Sequence, residues 1–417
     1  MSGGVAALRP SLDGRGARYA VFAATYLYQG LVAGFSLTAL ANHLAARGVT
    51  AAEVGFHFAL AGLPWTVQPL LWGPLIDRAG AGRRRPFAVA AILGCHAATL
   101  GLLLVPDATA LGWLGLAFFC HSLCASLLDT ACDRMIIDRV PPGELGRVSA
   151  CTRAGFVVGS SLGAAGFAWT LGDDGFVASA LGLLLAGLAA TLPMLLVRER
   201  AERSDPAAAG RRFPLRRFLR RLVVSLRRPR ALRLLALCFG LDAALGLFEL
   251  PFSVDLVQTL GWEPAALSRL QAGLGLVGGT VGALVVGLWS DRAGPLQPLR
   301  ALLAASAAGF LLAAGLIAAG LAGPAGPLIL ALTGALPGLL IVALMPALLL
   351  ASRGRPGAAT EFEVYMAAMN LGSVAGHAAA GLLAPVLPSA AAACIAVAVF
   401  WAAHRLTGRA GLLAPRG

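Results

Sequence analysis

Apolar residues run along the chain in blocks of about twenty, each closed by a short polar stretch carrying glycine, proline or arginine. Twenty residues of α-helix rise about 30 Å, the thickness of a bilayer's hydrocarbon core. The blocks predict twelve membrane-spanning helices near 19–42, 53–72, 87–106, 110–132, 148–171, 175–197, 232–257, 265–290, 299–321, 326–350, 358–385 and 388–406. Acidic residues interrupt the fourth and the eleventh. The alternation expected of a transmembrane β-barrel is absent. The expected fold is therefore all-α, a polytopic membrane protein.

Composition agrees with the pattern. The chain is 58% hydrophobic and 13% charged, against about 25% charged in soluble domains. Seven cysteines lie scattered, nearly all inside apolar blocks, and suggest no disulfide framework. Cys120, His121 and Cys124 share one helix, but cysteine in a bilayer helix usually acts as a small hydrophobe, so no metal and no cofactor is expected. No phosphate-binding loop, HExxH or nucleophile triad is present, and the run "GLGLVGG" (273–279) has no preceding strand. An enzyme is not expected.

The net charge is +13, and every basic residue is arginine. Arginine placement sets orientation. With the N-terminus inside, the cytoplasmic segments hold Arg9, Arg15 and Arg18, then Arg78 and Arg83 to Arg85, then Arg139 and Arg147. Many more follow in 198–233, and then Arg292, Arg300, Arg353, Arg355, Arg405, Arg409 and Arg416. The opposite side holds Arg47 and Arg269. Both termini are expected in the cytoplasm of a bacterial cell, at its inner membrane. The arginines sit in short loops without interleaved aromatics, so nucleic acid is not an expected partner. The first block follows an Arg-bearing leader without a cleavage site, so it is read as a retained helix.

The segment "RERAERSDPAAAGRRFPLRRFLRRLVVSLRRPR" (198–230) divides the spans into two groups of six. Its Arg pairs alternate with apolar residues, as in a helix lying on anionic lipid; a solvated linker is the alternative. The expected organisation is a cytoplasmic N-terminus (1–18), a six-helix bundle (19–197), the basic linker (198–231), a second bundle (232–406) and a tail (407–417).

An internal repeat marks the two halves. "GPLIDRAGAGRRRP" (73–86) follows the second span, and "GLWSDRAGPLQPLR" (287–300) follows the eighth. Two homologous six-helix bundles, with this loop after the second helix of each, resemble the major facilitator superfamily. The resemblance implies a transporter with a cytoplasmic gate. Gly73 lets helices approach. Asp77 can cap or face the positive end of a neighbouring helix, and Arg78 and Arg83 to Arg85 can pair with acids of adjacent helices; a solvated, orientation-setting loop is the alternative. Asp291 and Arg292 repeat the device. Asp133 and Arg134 are grouped with these gate residues, whereas Arg84 and Arg85 read mainly as orientation signals.

A closer resemblance lies in Gln29-Gly30, Leu63-Pro64-Trp65 and the run Leu71 to Arg78. Together with "SLLDTACDRMIIDRVPPGELGRVSA" and "AATEFEVYMAAMNLGSVAG", these are similar to the AmpG-type muropeptide permeases and the related siderophore permeases. Asp129 and Asp133 fall on that family's two fourth-helix acids. Leu128, Arg134 and Glu361 depart from its pattern.

Charges inside a bilayer are costly and need a reason. Asp129 and Asp133 share a helix face, which suits a proton carrier, a gate salt bridge or interfacial solvation. Arg153 is expected to pair with one of them; binding an anionic substrate is the other reading. Asp242 lies about ten residues into the seventh span, about 15 Å deep and close to the midplane. It is the favoured protonatable cavity residue, with Glu249 second. Tyr26, Gln29, Gln271, Tyr365 and Asn370 are further cavity candidates, and Glu361 joins them. The expected function is proton-coupled uptake of a polar small molecule, muropeptide-like or siderophore-like, by alternating access in a monomer. Proton-driven efflux and a non-transporting sensor or scaffold are the alternatives.

Overall fold

The computed structural model describes residues 10–49, 51–79, 83–105, 107–173, 175–200, 215–354, 357–383 and 386–408. Ten helices among them are long and apolar enough to cross a membrane: Arg15–Leu40, Arg85–Leu102, Leu111–Arg139, Pro142–Leu171, Gly175–Leu196, Pro229–Thr259, Ala266–Ala293, Leu296–Ala318, Gly326–Ser352 and Ser389–Thr407. Helices Ala51–Leu71 and Ala358–Leu383 stand where the second and eleventh spans are predicted. The fold is the all-α, polytopic one that the hydropathy pattern requires. The fourth helix runs on through Arg139, past the predicted end at 132. Nothing in "DRMIIDR" breaks a helix; the stop comes at Pro141 and Pro142.

The described chain divides into two compact units. One comprises Met1–Pro141, Cys151–Phe218 and Ser352–Glu363; the other comprises Pro142–Ala150, Leu219–Ala351 and Val364–Gly417. In the first unit, Phe35, Phe118 and Phe167 pack together, with Phe35 edge-on to Phe167 at 5.2 Å. In the second, Phe248 stacks on Phe252 and meets Phe310 edge-on, and Phe310 stacks on Phe400. Large apolar side chains such as Leu70, Leu104, Trp113, Trp169, Leu311 and Leu382 stand exposed, as side chains facing lipid do.

Glycines set how closely the helices approach. A Cβ on Gly155, Gly159 or Gly163 of the fifth helix would lie 2.3, 2.1 or 2.2 Å from the carbonyl oxygens of Ala23, Leu27 and Leu31 of the first. Gly30 and Gly34 meet the fifth helix in the same way. The second unit uses the device again: Cβ atoms on Gly372 and Gly376 of the eleventh helix would lie 2.2 and 2.3 Å from the oxygens of Phe239 and Ala243 of the seventh. Backbone-to-backbone contact of this kind gains van der Waals energy where lipid offers no hydrophobic drive.

Helix Leu215–Leu226 is the described part of the basic linker. Phe218 and Leu222 are buried, while Arg216, Arg217, Arg220 and Arg221 are exposed. Residues 201–214 lie outside the described residues. Before the first helix, the backbone of Leu12 pairs with that of Arg198, at the end of the sixth.

The glycine contacts can be tested within one helix. Gly159→Ala is expected to lower the melting temperature by several degrees, since a backbone oxygen must move. Gly166→Ala, whose Cβ would meet nothing within 4 Å, is expected to leave it unchanged or raise it slightly. Thermal melts of the two purified variants check this, and equal melts would remove the close approach as a constraint.

Candidate functional site

Two buried aspartates each cap a helix. In the first unit, the Asp77 side chain is fully buried. It accepts hydrogen bonds from the backbone N–H groups of Ala359 and Thr360, both at 2.9 Å, and from the Thr360 hydroxyl at 2.7 Å. These groups open helix Ala358–Leu383, where unsatisfied N–H groups and the positive end of the helix dipole meet the carboxylate. Gly73, one turn before Asp77, makes the approach possible: a Cβ there would lie 2.7 Å from Thr360 Oγ1.

The second unit repeats this arrangement. Asp291 accepts from the backbone N–H groups of Gly146 at 2.7 Å and Arg147 at 3.1 Å, and also pairs with the Arg147 side chain. Gly287, one turn earlier, lies so close that a Cβ would be 2.5 Å from the Gly146 oxygen. In both units the capped residues are the second and third of their helix.

Around the first cap runs a chain of ion pairs. Arg134 bridges Asp77 and Asp138, each at 3.2 Å, and Arg84 meets Asp138 at 3.5 Å. Asp77 lies beyond the spanning part of its segment. Burial raises its carboxyl pKa above the ordinary value, and Arg134 with the Thr360 and Ala359 donors works against that shift. Arg84, read from sequence mainly as an orientation signal but also as able to pair with an acid, is 2% exposed and belongs to this network. Arg85 donates from its backbone to Glu199, as does Arg84. Arg78 and Arg83 are exposed, as is Arg292.

Asp133 lies apart from the cap. One residue on a helix turns the side chain by about 100°, so Asp133 and Arg134 face different neighbours. Asp133 accepts from the Tyr26 hydroxyl at 2.7 Å. Asp129 accepts from Gln29 and Gln68, both at 3.2 Å, one at each oxygen. Glu363 of the eleventh helix completes the group: one oxygen from each of Asp129, Asp133 and Glu363 lies within 4.8 Å of the others. Sequence reading named Glu361 and missed Glu363. Both are buried, but two residues on a helix project to nearly opposite sides, and only Glu363 reaches the acids.

The expected pairing of Arg153 with Asp129 or Asp133 does not form. Among the described residues Arg153 has no ion pair, and its Nε is buried without a hydrogen-bond partner. In the second unit, Asp242 is half-buried and Glu249 exposed, two turns apart on one helix. His377 packs beside Gly246 between them. Asn370 is exposed, and Gln271 donates to Ser253 at 3.3 Å. His121 meets the Tyr28 hydroxyl at 2.8 Å, and His96 meets Thr191 at 2.9 Å. Both histidines thus act as links between helices.

The chain is similar in structure to several solved transporters. The E. coli fucose:proton symporter FucP aligns over 94% of this chain and 97% of its own, with TM-score 0.70 and 12% identity. A bacterial homologue of the iron transporter ferroportin, in an outward-facing state, aligns over 94% and 96%, with TM-score 0.65 and 15% identity. The human organic anion transporter MFSD10 (TETRAN) aligns over 94% and 98%, with TM-score 0.62 and 17% identity. At these identities the likeness is one of fold. The sequence profile of the Major Facilitator Superfamily matches residues 20–376. With its apolar helices, its repeated capped loops and this match, the chain belongs to the Major Facilitator Superfamily: it is a multi-pass membrane transporter and not an enzyme.

Proposed function

We propose that the chain is a proton-coupled transporter that takes up a polar small molecule by alternating access, as a monomer in a bacterial inner membrane with both termini in the cytoplasm. Its two bundles are residues 19–197 and 232–406, joined by the basic linker on the inner leaflet. The carrying observation is the matched pair of buried aspartate caps at Asp77 and Asp291. A carboxylate held by backbone N–H groups has two good environments, the capped one and water, and poor ones between. That is the requirement for a two-state latch. The Leu63-Pro64-Trp65 and Gln29-Gly30 likeness to muropeptide and siderophore permeases supports a polar cargo of that kind.

Asp242 is the proton-exchanging residue of this reading. It lies near the middle of an apolar helix and, among the described residues, has no hydrogen-bond or ion-pair partner. Ionisable groups so placed inside a membrane span mark ion and proton pathways in pumps and transporters.

Proteoliposomes with an imposed inward proton gradient test this, with muropeptides and siderophores as cargo. The gradient is expected to drive accumulation. Asp242→Asn should abolish gradient-driven accumulation while retaining counterflow exchange. Wild-type uptake indifferent to the gradient would end the proton reading. For the latch, Asp77→Ala and Asp291→Ala are each expected to slow initial uptake about tenfold or more. Each loses charge-assisted hydrogen bonds, which contribute about 1.5–3 kcal/mol apiece. Unchanged rates in both variants would show that the caps do not gate transport.

A further inference from the structure

We infer that Asp129, Asp133 and Glu363 form a binding site for a hard divalent cation of the size of Ca²⁺ or Mn²⁺. Four features of the first unit lead there. The first is spacing. Three oxygens that all lie within 4.8 Å of one another have a point between them within about 2.8 Å of each. That is close to the ~2.3–2.6 Å of Ca²⁺–oxygen bonds and well outside the ~2.0–2.1 Å that Mg²⁺ demands. The second is charge. Among the described residues no arginine or histidine makes an ion pair with any of the three, although carboxylates in an apolar interior need a compensating cation.

The third feature is an orphan. Glu363 is 1% exposed, and its Oε1 is buried with no hydrogen-bond partner. Its side chain projects into the group formed by Asp129 and Asp133. The fourth is orientation. Asp129 accepts amide N–H groups at both oxygens, and Asp133 accepts the Tyr26 hydroxyl. Those donors fix the orientation of the two carboxyl groups beside Glu363. The donor set is oxygen alone, without histidine or cysteine, which suits hard cations over zinc or copper.

The site has a structural consequence inside this unit. Glu363 lies one turn beyond Thr360, whose N–H and hydroxyl hold Asp77. A cation bound by Glu363 and the fourth-helix acids ties the start of the eleventh helix to the fourth, beside the cap. This binding does not rest on the proton reading, which is carried by Asp242, and the two are tested separately.

The experiment uses the purified full-length protein in detergent, stripped with a chelator and desalted. Mn²⁺ binding is followed by electron paramagnetic resonance, and Ca²⁺ and Mg²⁺ by calorimetry and competition, at neutral pH in sodium-containing buffer. One saturable Mn²⁺ site is expected, displaced by Ca²⁺ and at least tenfold less well by Mg²⁺. Glu363→Gln and Asp133→Asn should each weaken it at least tenfold. Glu263→Gln, an exposed acid paired with Arg269, should leave it intact. No saturable site in the wild type, displacement by sodium ions alone, or undiminished binding in both cluster variants would overturn the inference. Should the variants fail to fold, the X-ray absorption spectrum of Mn²⁺ bound to the wild type decides: oxygen donors alone support the site, and nitrogen or sulfur donors overturn it.

Discussion

A buried aspartate held against the first turn of a helix is the interaction on which the rest of this structure turns. Burying a carboxylate costs several kcal/mol, and only well-placed donors and charges offset that. Asp77 has two backbone N–H groups, a hydroxyl and Arg134. Asp291 has two backbone N–H groups and Arg147. Neither cap could form if a side chain stood at Gly73 or Gly287, so each aspartate depends on the glycine one turn before it. Half-formed caps are the worst case, because the carboxylate has then lost water without gaining donors.

The same reasoning explains why the device occurs twice. The loop motif is an internal repeat, and so is the glycine seam: the first helix against the fifth in one unit, the seventh against the eleventh in the other. Repeated sequence gives repeated local geometry because both devices need few residues. A cap needs a small residue, three spacers and an acid; a seam needs glycine at every fourth position. Features with such short demands survive divergence of everything around them.

The same economy decides what was legible in the sequence. Helix positions were readable because a bilayer imposes one length and one polarity on every span. Asp77 could be read as facing a helix end because loop and aspartate recur together. Arg84 could not be separated from the topogenic arginines beside it, since its burial against Asp138 depends on a fourth helix longer than the membrane requires. Arg153 looked like a counter-charge by sequence proximity, but among the described residues it forms no ion pair. Choosing between Glu361 and Glu363 needs the rotation of the eleventh helix, which no local sequence signal fixes. The three-carboxylate group joins residues distant in sequence, so no spacing motif announces it.

That group also makes the two units unequal. Both have a cap, but among the described residues only the first places a cluster of carboxylates one turn beyond it. Linkage then constrains what the cluster can do. Whatever binds Glu363 more tightly when Thr360 is held by Asp77 must, by the same factor, strengthen that hold. A ligand indifferent to the cap would shift nothing, however tightly it bound. Since Thr360 and Glu363 share one turn of a rigid helix, indifference would require the acids to follow that turn as it moves. Asp129 and Asp133 are anchored instead to the first and second helices through Tyr26, Gln29 and Gln68. An occupant of the cluster and the hold of Asp77 on Thr360 would therefore be coupled through a single helical turn.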